Sequence, residues 1–322
     1  MKVALFDPYN KKFTQDMITW WQNNGHEVEF QQYYNPKVID WADVIWFDTC
    51  DNNLKSAMAP SDAIIQEGIE TGIEWDLHNR DLTGKKIIVR PIDIEVWQGH
   101  HADARLWDIV DDCIFIAPHI RDIMMADSRP QESNMKVHVI PCGIDTSRWT
   151  FKVRQPGFNI GIVSEVWESK GVDYVLQIAL KLKDIDPRYN IEWRGPFQDY
   201  HWDKAYMDDF IRRHELPIKF VDWVESIDKF MESKSYLLHA SKKEAFSYAT
   251  AEAMAMGIKP ILHHFYGAEF LWPGITWDSI DEAVEMITED KYDSESYLNY
   301  LYNHGYTINQ MMSQIMEVIN NG

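Results

Sequence analysis

Apolar positions along the chain fall into short runs separated by longer amphipathic stretches. The first run, "KVALF" (2–6), is followed by "TQDMITWWQNNG", whose apolar residues recur at helical spacing until Gly25 stops them. The runs "HEVEF", "DVIWF" (43–47), "KKIIV" (85–89), "CIFIA" (113–117) and "VHVI" (137–140) continue the series. Strand-length runs alternating with helical stretches predict an open, mostly parallel sheet covered by helices. The polar segment "DTSRWTFKVRQPGF" (145–158), with Pro156 and Gly157 at its end, breaks the rhythm and reads as a linker.

A second series follows. It runs "NIGIV" (159–163), the helix "GVDYVLQIALKLKDI", "IEWRG" (191–195), the helix "KAYMDDFIRRHE", "IKFVD" (218–222), "SYLLH" (235–239) and "IKPILH" (258–263). The pattern therefore predicts an α/β chain of two doubly wound, Rossmann-like domains. Residues 1–150 form the first and 151–305 the second, and a terminal helix over 306–322 returns to the first. That helix has apolar positions but no strand of its own left to cover. Two such domains facing a central cleft put the default site in that cleft, outside the carboxyl ends of the strands.

Composition narrows the function. With 322 residues, 45% of them hydrophobic, the chain has enough apolar surface for two cores. Acidic residues outnumber basic ones by 51 to 31, and the net charge of −20 argues against a broad nucleic-acid footprint or an anionic membrane surface. A small anionic ligand, which needs only a few local donors, stays open. Cys50, Cys113 and Cys142 are widely spaced and show no metal-ligand pattern, which suits a reducing compartment. No apolar run approaches the roughly 18–20 residues of a membrane span, and the opening residues carry too few apolar positions for a signal peptide. A soluble, cytoplasmic protein is expected.

The segment "EAFSYATAEAMAMGIKP" (244–260) concentrates the candidate chemistry. Ser247 is placed to cap a helix over 248–256, Gly257 to end it, and Pro260 to open a strand. Glu244 then lies in the loop before the helix and Glu252 one turn inside it. The amides of 247–249 form a ready anion site at a positive helix end. Carboxylates beside such a site are poor phosphate ligands but good acceptors for sugar hydroxyls.

On these residues the chain resembles the retaining glycosyltransferases of family 4, which have the GT-B fold. The pair of glutamates eight positions apart, followed by "AMAMG" and a strand, is similar to the donor-site motif of that family. "VIPCGIDTSRW" (139–149) resembles its interdomain signature, and "GIVSEVWESKGVDYVLQIAL" (161–180) its phosphate-site strand, loop and helix. "FVDWV" (220–224) and "FYGAEFLW" (265–272), the latter containing Gly267, are similar to two further donor-site loops.

The resemblance implies a nucleotide-diphosphate sugar as donor and no structural metal or other cofactor. Lys170 would pair with the diphosphate, Glu252 would hold the ribose hydroxyls and Glu244 those of the transferred hexose or pentose. The backbone of Phe246, Ser247 and Tyr248 would meet the diphosphate and sugar, and Trp223 and Val224 would lie beside the base. Retention of configuration would follow from the family.

The chain also departs from the family. Ser164 stands where the family has an arginine, with Lys242, Lys243 and Arg194 as substitutes for the lost cation. "DPYNKKF" replaces a glycine pair after the first strand. "VRPIDIEVW" (89–97) lacks the family histidine, leaving Asp93 as the candidate catalytic group on that side, with Glu95 and the pair His100 and His101 nearby. The acceptor is left open, a glycan, a small molecule or modified DNA being the expected classes. Two alternatives follow: transfer to hydroxymethylated DNA bases, as phage-type members of the fold perform, and a non-catalytic sugar-nucleotide or glycan-binding protein.

Overall fold

The structure is a computed structural model of the chain. It describes residues 1–7, 11, 14–32, 35–48, 80–91, 106–126, 131, 133–198, 201–221 and 226–321. Two compact units emerge, one made of Met1–Gly143 with Ile308–Gly322, the other of Ile144–Thr307.

The first unit is built on a six-stranded parallel sheet. Its strands are β1 (Lys2–Phe6), β2 (Glu27–Gln31), β3 (Val44–Phe47), β4 (Lys86–Val89), β5 (Asp112–Phe115) and β6 (Lys136–Val139), in the order β2-β1-β3-β4-β5-β6. Helices α1 (Gln15–Asn23), α2 (Pro36–Trp41) and α3 (Pro118–Met125) connect or flank them. Every residue of β3 and β5 is buried. Covering both faces with helices is what makes β3 a continuous apolar run rather than an alternating one. Just after β1 the buried Asp7 carboxylate accepts from Thr14 Oγ1 at 2.7 Å and from the amide of Lys11 at 3.1 Å.

The second unit repeats the plan with β7 (Asn159–Val163), β8 (Asn190–Arg194), β9 (Ile218–Val221), β10 (Tyr236–His239), β11 (Lys259–His263) and β12 (Thr276–Trp277). Their order is β12-β11-β10-β7-β8-β9, all parallel. Its helices are α4 (Val172–Ile185), α5 (His201–His214), α6 (Ile227–Glu232), α7 (Tyr248–Ala255), α8 (Ala268–Leu271), α9 (Ile280–Thr288) and α10 (Ser294–Asn303). One side of the sheet buries Ile160, Ile162, Trp193, Leu238 and Trp277 in a single cluster with the inner faces of α4, including Leu176, and α9.

The last helix, α11 (Ile308–Asn320), belongs to the first unit. Its buried residues Ile308, Met311, Met312 and Ile315 recur at helical spacing and join the cluster of Val3, Leu5, Trp21, Trp46 and Ile114. Trp20 Nε1 also donates to Asn309 Oδ1 at 2.9 Å.

The stretch read as a linker is tied down in the second unit. The amide of Arg154 donates to Ser294 Oγ, and its guanidinium donates to the carbonyls of Met256, Glu232 and Lys234, all at 2.9–3.0 Å. The arginine satisfies chain ends of α6 and α7, which a reading of polarity alone does not foresee. Among the described residues, no helix is long and apolar enough to cross a membrane.

Candidate functional site

In the second sheet the chain runs from β7 outward through β8 and β9, then crosses back to place β10 on the other side of β7. That reversal is a topological switch point. In open α/β sheets ligands bind at such a point, in the crevice outside the carboxyl ends of the strands. The loop after β7 carries Ser164 and Lys170; the loop after β10 carries Glu244, Phe246 and Ser247.

Several local features hold the two loops together. Gly171 directly follows Lys170 with φ +72, and a Cβ on it would lie 2.0 Å from the Ala240 carbonyl oxygen at the end of β10. Glycine is therefore required for this approach, which brings Lys170 across to the neighbouring loop. The amide of Lys242 donates to the Ser169 carbonyl at 2.9 Å. As a result Lys170 Nζ lies 2.6 Å from Glu244 Oε1, a contact between residues 74 positions apart. Both side chains are mostly buried, with 22% and 16% exposure.

The same oxygen is approached by His239 Nε2, at 3.3 Å. His239 is the last residue of β10 and is 8% exposed. Burial by itself would raise the Glu244 pKa. The Lys170 charge and the His239 hydrogen bond outweigh it, holding the carboxyl well below the usual range and therefore ionised. Sequence reasoning missed His239. It closes an apolar strand, and its only signal was a polar residue at a carboxyl strand end five positions before Glu244.

Ser247 stands at the start of α7, as the spacing predicted, but it does not cap by its side chain. Its backbone is left-handed, at φ 68 and ψ 75, and its hydroxyl pairs with Thr250 Oγ1 at 2.7 Å. The preceding carbonyl, of Phe246, accepts from Trp272 Nε1 at 3.1 Å. In a trans peptide the N–H points opposite to the carbonyl, so this indole sets the direction of the Ser247 amide. The rings of Phe246, Trp272 and Tyr306 pack at 5.2–5.3 Å around that anchor, and Tyr248 meets the edge of Phe246 at 5.3 Å. Gly267, at φ 90, opens α8 and returns the chain to Trp272. At its other end α7 stops at Gly257, whose φ of 75 lets Ile258 donate back to Ala253 at 2.9 Å.

A left-handed serine is strained by about 1–2 kcal/mol, and this gives a first expected result. Ser247→Gly and Ser247→Ala both lose the Thr250 bond, but only alanine keeps the strain. Allowing for glycine's greater freedom when unfolded, the glycine variant should be more stable by about 0.5–1 kcal/mol. Coincident urea unfolding curves for the two variants would contradict the strain.

Ser164 is tied to the neighbouring strand end. Its amide donates to the Arg194 carbonyl at 3.1 Å, and its carbonyl and hydroxyl oxygens accept from Trp193 Nε1 at 3.1 and 3.2 Å. Arg194, the last residue of β8, is only 4% exposed. Burial lowers its pKa and the charge of Glu252 opposes that shift, so a buried guanidinium shares the electrostatic environment of the second carboxylate. Glu252 itself is half-buried in the second turn of α7. Asp93, Trp223 and Val224 lie outside the described residues, as do Glu95, His100, His101 and Cys50. Among the described residues, no group of three or more histidine, cysteine or acidic side chains could hold a metal ion.

No protein-family model matches the chain, and no curated protein matches it. Solved structures do. HepE of Anabaena in complex with UDP-glucose superposes with a TM-score of 0.69 at 14% identity over 100% of both chains. Sucrose-phosphate synthase from Thermosynechococcus elongatus gives 0.67 at 11% identity, covering 100% of this chain and 98% of that one. A glycosyltransferase from Rickettsia africae gives 0.64 at 12%, covering 98% and 97%. At these identities the likeness establishes architecture: the chain has the two-sheet α/β fold of the GT-B glycosyltransferases.

Proposed function

We propose that the chain is a glycosyltransferase that moves a hexose or pentose from a nucleotide-diphosphate sugar to an acceptor hydroxyl, with retention of configuration. The observation that carries this reading is the meeting of Lys170, Glu244 and the start of α7 at the β7/β10 switch point. A cation and helix-start amides suit a diphosphate, and a carboxylate held ionised beside them suits sugar hydroxyls. The neighbouring HepE structure, solved with UDP-glucose, supports the same assignment.

In this reading the bond from the anomeric carbon to the diphosphate oxygen breaks as positive charge grows on the sugar. Lys170 and the amides of 247–249 stabilise the charge developing on the leaving diphosphate. Phe246 and Tyr248 frame that start of α7, and Gly267 positions the loop behind it. Glu244 accepts from the sugar hydroxyls, and Glu252 from the ribose. The acceptor oxygen bonds to the anomeric carbon, and its proton passes to the departing phosphate oxygen. Asp93 is the candidate group on the acceptor side, and Trp223 and Val224 flank the base. Ser164, anchored to Trp193 and Arg194, lies on the loop that borders the diphosphate. No resident metal or cofactor enters the reaction. The widely spaced cysteines, with Cys113 and Cys142 buried, fit a cytoplasmic setting.

The test is a panel of uridine, guanosine, thymidine, cytidine and adenosine diphosphate sugars. Release of nucleoside diphosphate is followed by mass spectrometry, with and without glycan and small-molecule acceptors. One donor class should be cleaved. Binding of a donor without cleavage under any acceptor would mark a binding protein, and no binding at all would remove the donor site.

A further inference from the structure

We propose that His239 is a positioning residue, which fixes the orientation of the Glu244 carboxylate toward the transferred sugar. The inference rests on the donor-site reading and adds to it a residue that neither the motif spacing nor the family resemblance supplied.

The geometry is specific. Glu244 sits in a loop, where a side chain is less well held than on a strand. His239 sits at the end of β10, a strand whose four residues are all buried and which pairs with β11, His239 standing opposite Leu262. Its Nε2 faces Glu244 Oε1 at 3.3 Å, and Lys170 Nζ faces the same oxygen at 2.6 Å. Because a carboxylate only accepts, the shared Nε2 must carry the hydrogen. Two donors, one from a strand end and one from the loop after β7, converge on one oxygen and hold the carboxylate more firmly than either does alone.

The rest of the imidazole is not built for packing. Its Nδ1 is buried and has no hydrogen-bond partner among the described residues. Phe265, 6.2 Å away between ring centres, offers only an aromatic neighbour. Burying a polar atom without a partner is unfavourable, so an apolar residue would serve the strand better. What an apolar residue cannot do is donate to Glu244.

The position also separates the roles. Lys170 contacts the carboxylate from the loop proposed to hold the diphosphate, and it must serve the leaving group during turnover. His239 has no such second task, so it keeps Glu244 in place when the Lys170 ammonium turns toward phosphate.

The experiment compares His239→Phe, which keeps an aromatic ring of similar bulk, with His239→Gln, whose amide nitrogen stands near the place of Nε2. For each variant the nucleoside diphosphate Kd is measured by calorimetry, and kcat and KM on the donor that the wild-type chain cleaves. The phenylalanine variant should lose roughly 10–100-fold in kcat, the range typical of residues that orient a functional group, with Kd changed less than about twofold. The glutamine variant should recover most of that loss. A phenylalanine variant with wild-type kcat overturns the proposal. So does a glutamine variant that is folded, binds nucleotide and is as slow as phenylalanine, since ring packing would then be what matters. A wild-type chain that cleaves no donor in the panel overturns the donor-site reading itself, which is a separate result.

Discussion

Glu244→Gln is expected to lower sugar release about 10²–10³-fold, the loss seen when one preorganised polar contact to a developing charge is removed. Glutamine keeps the size and one acceptor oxygen but loses the negative charge that faces a sugar becoming cationic. The structure adds a second consequence. In the wild-type chain the Lys170 ammonium is engaged with this carboxylate. A neutral amide holds it less firmly, so more of its charge becomes available to phosphate. Nucleoside diphosphate affinity should therefore hold or tighten while turnover falls. Glu252→Gln should do the reverse, weakening nucleotide and nucleotide sugar alike if that carboxylate binds the ribose. The measurements are calorimetric Kd for the diphosphate and kcat on the cleaved donor. Equal losses of nucleotide affinity in the two variants, or full turnover in both, would show the carboxylates to be structural.

Much of the fold around this site was legible in the sequence, because parallel sheets covered on both faces spell out their strands. β1 and β7 fall on 2–6 and 159–163 as expected, and the other predicted strands are displaced by a residue or two at their ends. The start of α7 at Tyr248 and its stop at Gly257 were equally plain, since small residues, a serine and a glycine mark both limits. What could not be read is the order of the strands. The meeting of Lys170 with Glu244 depends on β10 crossing back to lie beside β7, and no local pattern encodes that crossing. For the same reason His239 looked like the end of an apolar run, and nothing in the sequence around Arg194 showed that it is buried. The conformation of Ser247 was hidden for a different reason. Serine is a common helix cap by its side chain, and here tertiary packing of Trp272 on the Phe246 carbonyl selects a left-handed backbone instead.

Lys170→Ala is expected to weaken nucleoside diphosphate binding about 10–150-fold, which corresponds to roughly 1.5–3 kcal/mol for a charge-assisted bond to phosphate. The ion pair seen here means that this variant will also be less stable. Removing the ammonium takes one of the two donors that hold Oε1 away from a mostly buried Glu244, and burying a carboxylate without its paired cation is unfavourable. The two effects have different origins, and a double variant separates them. In Lys170→Ala with Glu244→Gln the buried charge is gone from both sides, so stability should return toward that of the wild-type chain. Diphosphate affinity should not return, because the cation that met the phosphate is still missing. Urea unfolding and calorimetry on the two single variants and the double variant give both cycles from one set of proteins. If affinity recovers together with stability, Lys170 acts only by keeping Glu244 in place, and the diphosphate must find its positive charge elsewhere in the crevice.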